Sequence, residues 1–224
     1  MADYIFQTRQ LNSEVVGIRK TEILKVKGDW EEVVNDCRAT VGKDELGKEP
    51  SAAFKKAILI AEHSPIRDIS IRWIWRTIKS WIATHWVRHK WECFVRSQRD
   101  DRTGIPRDKL PQDAIVSFTG EANVQNLIDT ERKRLCYEAS PETREYGEDL
   151  KLTIRNIDTY IADVLVPNCI YRCGCPEMGK CTFYEKLKEK MPAVASTDIQ
   201  KRYDAYNEWF YQTRVGMSYE ISRL

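Results

Sequence analysis

The segment Ile69-Ser70-Ile71-Arg72-Trp73-Ile74-Trp75 constrains the fold more than any other. Bulky β-branched and indole side chains recur at close to period two, the pattern of a strand with a buried face. His63-Ser64-Pro65 stands before it, and proline disfavours helical backbone at the residue it follows. Beyond it, Thr77–Lys90 carries Ile78, Trp81, Ile82, His85 and His89 at helical spacing, on one face. A strand running straight into a helix implies an α+β fold. We expect helices packed against a central mixed or antiparallel sheet.

The remaining elements fit that class. Tyr4–Lys27 alternates in short stretches and reads as one or two strands. Asp29 is suited to cap a helix reaching about Ala39, with Glu31 and Glu32 in its first turn. Pro50 and Ser51 lead into a helix over Ala52–Glu62, striped by Phe54, Ile58 and Leu59. Residues 91–112 read mostly as loop, punctuated by Gly104, Pro106 and Pro111. A helix is expected over Glu121–Glu138. Next, either Ser140 caps a new helix with Pro141 at its first position, or one helix continues with a kink at the proline. Helical periodicity runs on to about Val164. Pro167–Cys181 is a Cys/Gly/Pro knuckle, Phe183–Lys190 a short amphipathic helix, and Asp198–Val215 an aromatic-rich last helix. We read residues 1–166 as the main domain. Residues 167–224 form a cysteine-rich C-terminal extension packed on it.

Composition narrows the class further. The 224 residues are enough for one substantial core, and 42% hydrophobic with 31% charged residues suits a water-soluble protein. A net charge of +2 provides no global field for nucleic acid or an anionic membrane. No run approaches the length of a membrane span, and the first residues lack the basic flank and apolar centre of a signal peptide. The expected location is the cytoplasm.

The densest chemistry lies in His85–Arg102, with two His, four Arg and a Lys among Trp86, Trp91 and Phe94. A solvated helix end followed by a basic loop would explain it, because cations are favourable at a helix C-terminus. The other reading is a site for a phosphorylated, ring-bearing ligand, since the guanidinium fork matches phosphate. No P-loop or dinucleotide glycine fingerprint occurs, so any nucleotide would be held by side chains.

Three motifs in order favour the second reading. His63-Ser64-Pro65-Ile66 resembles H-x-[ST]-P-F. Arg88-His89-Lys90, followed by Ser97-Gln98-Arg99-Asp100-Asp101-Arg102, resembles R-H-R with N-E-x-S-x-R. Arg134-Leu135 and then Ala139-Ser140-Pro141-Glu142-Thr143-Arg144 resemble R-L-x-x-x-A-Q-x-E-I-R at identical spacing. Over about residues 15–165 the chain is similar to the flavin-dependent thymidylate synthases, the ThyX family, in a divergent, phage-like or bacterial branch.

That resemblance implies a ThyX-like fold and a homotetramer with active sites at subunit interfaces. It implies conversion of dUMP to dTMP, with methylenetetrahydrofolate as carbon donor and FAD, reduced by NADPH, as hydride source. By carry-over, His63, Ser64, Arg88, His89 and Lys90 would hold the cofactor. Ser97, Gln98, Arg99, Asp100, Arg102, Arg134 and Arg144 would bind the nucleotide. Arg144, Arg102 and His85 would serve the chemistry, with Arg144 under the pyrimidine ring. The chain departs from the pattern at Lys90, which replaces an Arg, and at Asp100, which replaces a Ser and would repel a phosphate. Asp68 stands in place of a His and Ser140 in place of a Gln, and the gap before Asp100 is longer by two residues. A related flavin-dependent change, such as hydroxymethylation of another pyrimidine nucleotide, is the alternative.

The cysteines form a separate signal. Cys37, Cys93 and Cys136 are dispersed and read as small buried hydrophobes, whereas Cys169, Cys173, Cys175 and Cys181 cluster. Four thiolates suit zinc or an iron–sulfur centre. The single residue between Cys173 and Cys175 is tight for zinc, so three of the four, or none, would share one ion. Any zinc would be structural. A zinc-containing nucleic-acid-binding module is the remaining function class.

Overall fold

The computed structural model describes residues 20–179 and 181–220, with side chains as far as Arg214. It contains a four-stranded antiparallel sheet surrounded by helices. The early part of the expected Tyr4–Lys27 strand region lies outside the described residues. Its later part is β1 (Thr21–Lys27). Asp29 caps α1 (Trp30–Ala39) through Glu32 N–H, and Ser51 caps α2 (Ala52–Ala61) through Phe54 N–H. Both caps satisfy backbone donors that a helix start leaves unpaired. A 3-10 turn over Ser64–Asp68 then leads into β2 (Ser70–Lys79).

β2 continues past the alternating stretch that announces it. A register shift between Trp75 and Ile78 keeps Ile78 inward, opposite Val116, and Lys79 still pairs with Ile115. The helix expected over Thr77–Lys90 is therefore shorter: α3 spans Ser80–Trp86, and Arg88–Lys90 lie in the turn after it. The expected loop over 91–112 contains β3 (Glu92–Val95), the short α4 (Asp100–Thr103) and a 3-10 turn over Arg107–Lys109. The helix expected from Glu121 begins later, because β4 (Ile115–Asn123) occupies that position.

β4 pairs with β2 on one side and β3 on the other, giving the order β1-β2-β4-β3. Val116, Phe118, Gly120 and Ala122 are its buried positions, at period two. Gly120 makes room for an indole. A Cβ built there would lie 2.4 Å from the Trp73 ring, which is 0% exposed. Gly120→Ala should therefore overpack the sheet and cost about 1–3 kcal/mol in urea unfolding. An unchanged midpoint would contradict this packing.

Asn123 caps α5 (Val124–Arg134). Of the two readings at Pro141, the new helix is found: Ser140 caps α6 (Pro141–Arg155) with the proline in its first turn. The helical stretch to Val164 is broken at Asn156–Asp158, and Asp158 caps α7 (Thr159–Val164) while accepting from Trp30 Nε1–H at 2.6 Å. Next come α8 (Asn168–Tyr171), α9 (Phe183–Lys190) and α10 (Ile199–Glu220).

The C-terminal segment shares the core of the rest. Val194, Tyr206 and Phe210 join the buried cluster that contains Trp73, Trp75 and Trp86. Lys151 of α6 fastens this junction. Its buried ammonium donates to Ala162 O at 2.7 Å, Leu165 O at 2.8 Å and Asn207 Oδ1 at 2.7 Å, linking α6, α7 and α10. Burial pulls Lys151 down to about 7, opposed by Asp163 and Glu131. Three acceptors match the three N–H bonds of the charged form. Among the described residues, no helix is long and apolar enough to cross a membrane.

Candidate functional site

Two of the three sequence motifs meet where α3, the end of α5 and the start of α6 converge. Arg134 is the link. Its Nε–H donates to His89 Nε2 at 2.7 Å, and a terminal amino group donates to the backbone oxygen of His85 at 2.6 Å. The same guanidinium lies 5.7 Å from the Trp86 ring centre. The His89 ring is packed against Trp86 and Trp91. Burial, with Arg134 and Lys133 beside it, lowers His89 to about 4. The imidazole is thus neutral at physiological pH and accepts from Arg134, while Arg88 and Lys90 on either side are exposed. The tripeptide turns its ring inward and its cations outward.

His85 carries a second polar chain. Its Nδ1 lies 2.7 Å from Thr143 Oγ1, and Ser140 Oγ donates to the same oxygen at 2.7 Å. With Ser140 donating, the Thr143 proton is left for His85 Nδ1, which puts the ring's own proton on Nε2. Burial, then the Arg134 and Arg88 charges, lowers the His85 pKa. The Ser140 cap therefore has two roles, starting α6 and orienting the hydroxyl that holds His85.

One residue along α6, Arg144 lies 4.1 Å from the Tyr137 ring centre, and its Nε–H donates to Glu148 Oε1 at 3.2 Å. Among the described residues, its terminal amino groups make no hydrogen bond, so the fork is available to an anion. Arg214 of α10 also donates to Glu148 Oε1, at 2.6 Å, and to Tyr137 Oη at 3.1 Å. Tyr137 stacks on Phe183 at 3.9 Å with the rings nearly parallel. Phe183, Leu187 and Trp209 line a groove of about 310 Å³, with Lys186 and Lys190 on its rim.

Beneath these groups lies Glu131, wholly buried, with neither carboxylate oxygen hydrogen-bonded. Burial pushes it up to about 8, against the pull of Lys151 and Arg134. It is protonated at neutral pH. Gly147 leaves space for it, since a Cβ there would lie 2.8 Å from Glu131 Oε2.

Other expected site residues stand apart. Arg99 and Arg102 are exposed and both pair with Asp101. Ser97 is exposed and accepts from Arg99 N–H, and Gln98 accepts from Ser80 Oγ–H at 3.2 Å. Asp100 accepts from the backbone N–H of Arg107 at 2.8 Å, so one carboxylate oxygen closes its own loop. His63 and Ser64 are exposed at the start of the 3-10 turn, and no hydrogen bond joins them to the His85–Arg134 cluster.

Among the described residues, no three His, Cys, Asp or Glu side chains are grouped as ligands of one ion. Cys173 is diverted from the other clustered cysteines. Its Sγ–H donates to Ser196 O, and it accepts from Tyr184 Oη–H, both at 3.7 Å. Cys136, dispersed in sequence, lies near Cys175 and Cys181; burial first, and then Glu177 and these two thiols, raise its pKa.

No protein-family model matches the sequence, and no curated protein matches it. The fold is similar to the crystal structure of PolB from Streptomyces cacaoi, described as a UMP/dUMP methylase bound with 5-Br dUMP. The superposition has a TM-score of 0.52 and covers 64% of this chain and 93% of that one, at 13% identity. What is shared at that identity is the fold.

Proposed function

We propose that this chain modifies a pyrimidine deoxynucleotide. Our specific reading is a flavin-dependent thymidylate synthase that converts dUMP to dTMP, with methylenetetrahydrofolate as carbon donor and NAD(P)H as reductant. The observation that carries it is the Arg134–His89 bond, which joins the second and third motifs in one cluster with Arg144 close by. The likeness to a fold that holds a halogenated dUMP supports the substrate class.

The residues fit a flavin dinucleotide. Exposed Arg88 and Lys90 suit its phosphates, and of the indoles nearby the half-buried Trp91 and Trp81 suit a flat ring, whereas Trp86 is fully buried. When bound, FAD supplies the hydride chemistry; the chain positions rings and places charge. Arg144, with a free fork, binds the base and stabilises negative charge developing on it. Thr143 and Ser140 fix the His85 ring with Nε2–H outward as a hydrogen-bond donor. His89, held neutral, orients Arg134 and takes no proton. The exposed Ser97–Arg102 segment, remote from these bonds, would complete the site of a neighbouring subunit in a homotetramer.

The test is purification without added cofactor, followed by the optical spectrum, dUMP titration of the flavin bands and tritium release from C5 of the uracil. A yellow protein whose spectrum responds to dUMP, with release dependent on folate, is expected. Colourless protein that binds no added FAD would sink the flavin reading. A hydroxymethylated product would move the assignment to the alternative reaction.

A further inference from the structure

The loop between α8 and α9 has almost nothing to fold it. From Arg172 to Thr182, no described residue is buried, and Met178 is fully exposed. The side chains in this stretch that turn partly inward are Cys175 and Cys181. Cys175 packs against the core and Cys181 does not, so the loop is held inward by two thiols and little else.

Three contacts bring a third and a fourth thiol to the same place. Tyr137 stacks on Phe183, which puts the adjacent Cys136 beside the chain entering α9. Arg132 of α5 lies 3.6 Å from the Tyr171 ring centre, closing α5 onto α8, where Cys169 is buried. Gly174 N–H donates to Cys169 O at 2.9 Å, so the loop turns back over that residue. The left-handed backbone at Cys173 (φ 56°) makes the turn and sends its own side chain the other way, to Ser196 and Tyr184.

We propose that Cys136, Cys169, Cys175 and Cys181 form a four-thiolate site for an iron–sulfur cluster, with Cys173 outside it. The spacing Cys169-x5-Cys175-x5-Cys181 is wider than the two to four residues usual between paired zinc ligands. A tetrahedral zinc site would hold its sulfurs about 3.8 Å apart, given Zn–S bonds of about 2.3 Å. No such grouping exists among the described residues. A cluster has metal–metal edges of its own and takes four thiolates set farther apart.

The neighbourhood is mutual: Cys136, Cys175 and Cys181 all lie near enough to act on the Cys169 thiol, which burial and then these three raise. Metal binding would displace the thiol protons. The site stands independently of the flavin proposal. It does, however, adjoin Tyr137, on which Arg144 rests.

The full chain should be prepared anaerobically, or reconstituted with ferrous iron and sulfide, and assayed for iron and acid-labile sulfide. Neither assay is disturbed by flavin. About four of each per chain are expected, with a paramagnetic signal after reduction by dithionite. Cys136→Ser, Cys175→Ser and Cys181→Ser should each lower bound iron several-fold, with far-UV circular dichroism verifying the fold. Cys173→Ser should retain it. One zinc per chain without sulfide overturns the proposal, as does the absence of both metals. Loss of iron in Cys173→Ser, with retention in Cys136→Ser, overturns it too.

Discussion

Glu131→Gln should make the protein more stable than wild type at pH 8–9 and leave the two nearly equal near pH 4.5. Glu131 is buried with neither oxygen hydrogen-bonded, and its pKa rises from 4.5 to about 8. Below 4.5 both folded and unfolded chains hold the proton, and there is no penalty. Between 4.5 and 8 the unfolded chain ionises while the folded chain does not, so stability falls as pH rises. Above 8 the folded chain ionises too, and the loss levels off. At about 1.4 kcal/mol per pH unit, the full loss is on the order of 5 kcal/mol. Glutamine keeps the shape and has no proton to lose. Lys151, with an opposite slope above pH 7, is present in both proteins and cancels apart from its mutual pull with Glu131, which the comparison at pH 5 and 7 keeps smallest. Urea midpoints at pH 5, 7 and 9 measure the effect. Parallel curves for the two proteins would mean that Glu131 is ionised throughout.

The helices were more legible in sequence than the sheet. Asp29, Ser51 and Ser140 announce α1, α2 and α6, because a cap is a local event between neighbouring residues. β3 and β4 leave little local pattern in the sequence. Gly120 owes its place to Trp73, which packs against it from a distant strand, and Glu92–Val95 is a short edge strand with Phe94 62% exposed. Pairing between distant strands decides both, and local pattern does not record it.

The same division holds at the site. His89, Arg134 and Arg144 stand in the motifs and His85 just before one of them; Arg134 joins His89 to His85, and Arg144 follows the Thr143 that holds His85. Thr143 lies inside the third motif, and its role in holding His85 depends on α3 packing against the start of α6. Tyr137, Glu148 and Arg214 carried no signal, since their importance comes from α10 folding back onto α6. Cys136 was invisible as a partner for the same reason. It precedes the other cysteines by a whole helix pair and reaches them through the Tyr137–Phe183 stack.

Arg144→Ala is expected to lower dUMP-dependent turnover about 10²–10³-fold, the usual effect of removing a charge aimed at the developing anion. The fold should survive it. Arg144 is only partly buried, and Glu148 keeps a cation because Arg214 donates to the same oxygen. Arg144→Lys retains charge but not the fork and should recover part of the rate. Dividing the loss between KM and kcat identifies the role. An equal fall in kcat and kcat/KM places the contact in the transition state, whereas a rise in KM alone makes it a ground-state anchor for the nucleotide. Wild-type turnover in Arg144→Ala would detach the third motif from the chemistry. The Arg134–His89 pair would then be a structural tie between helices.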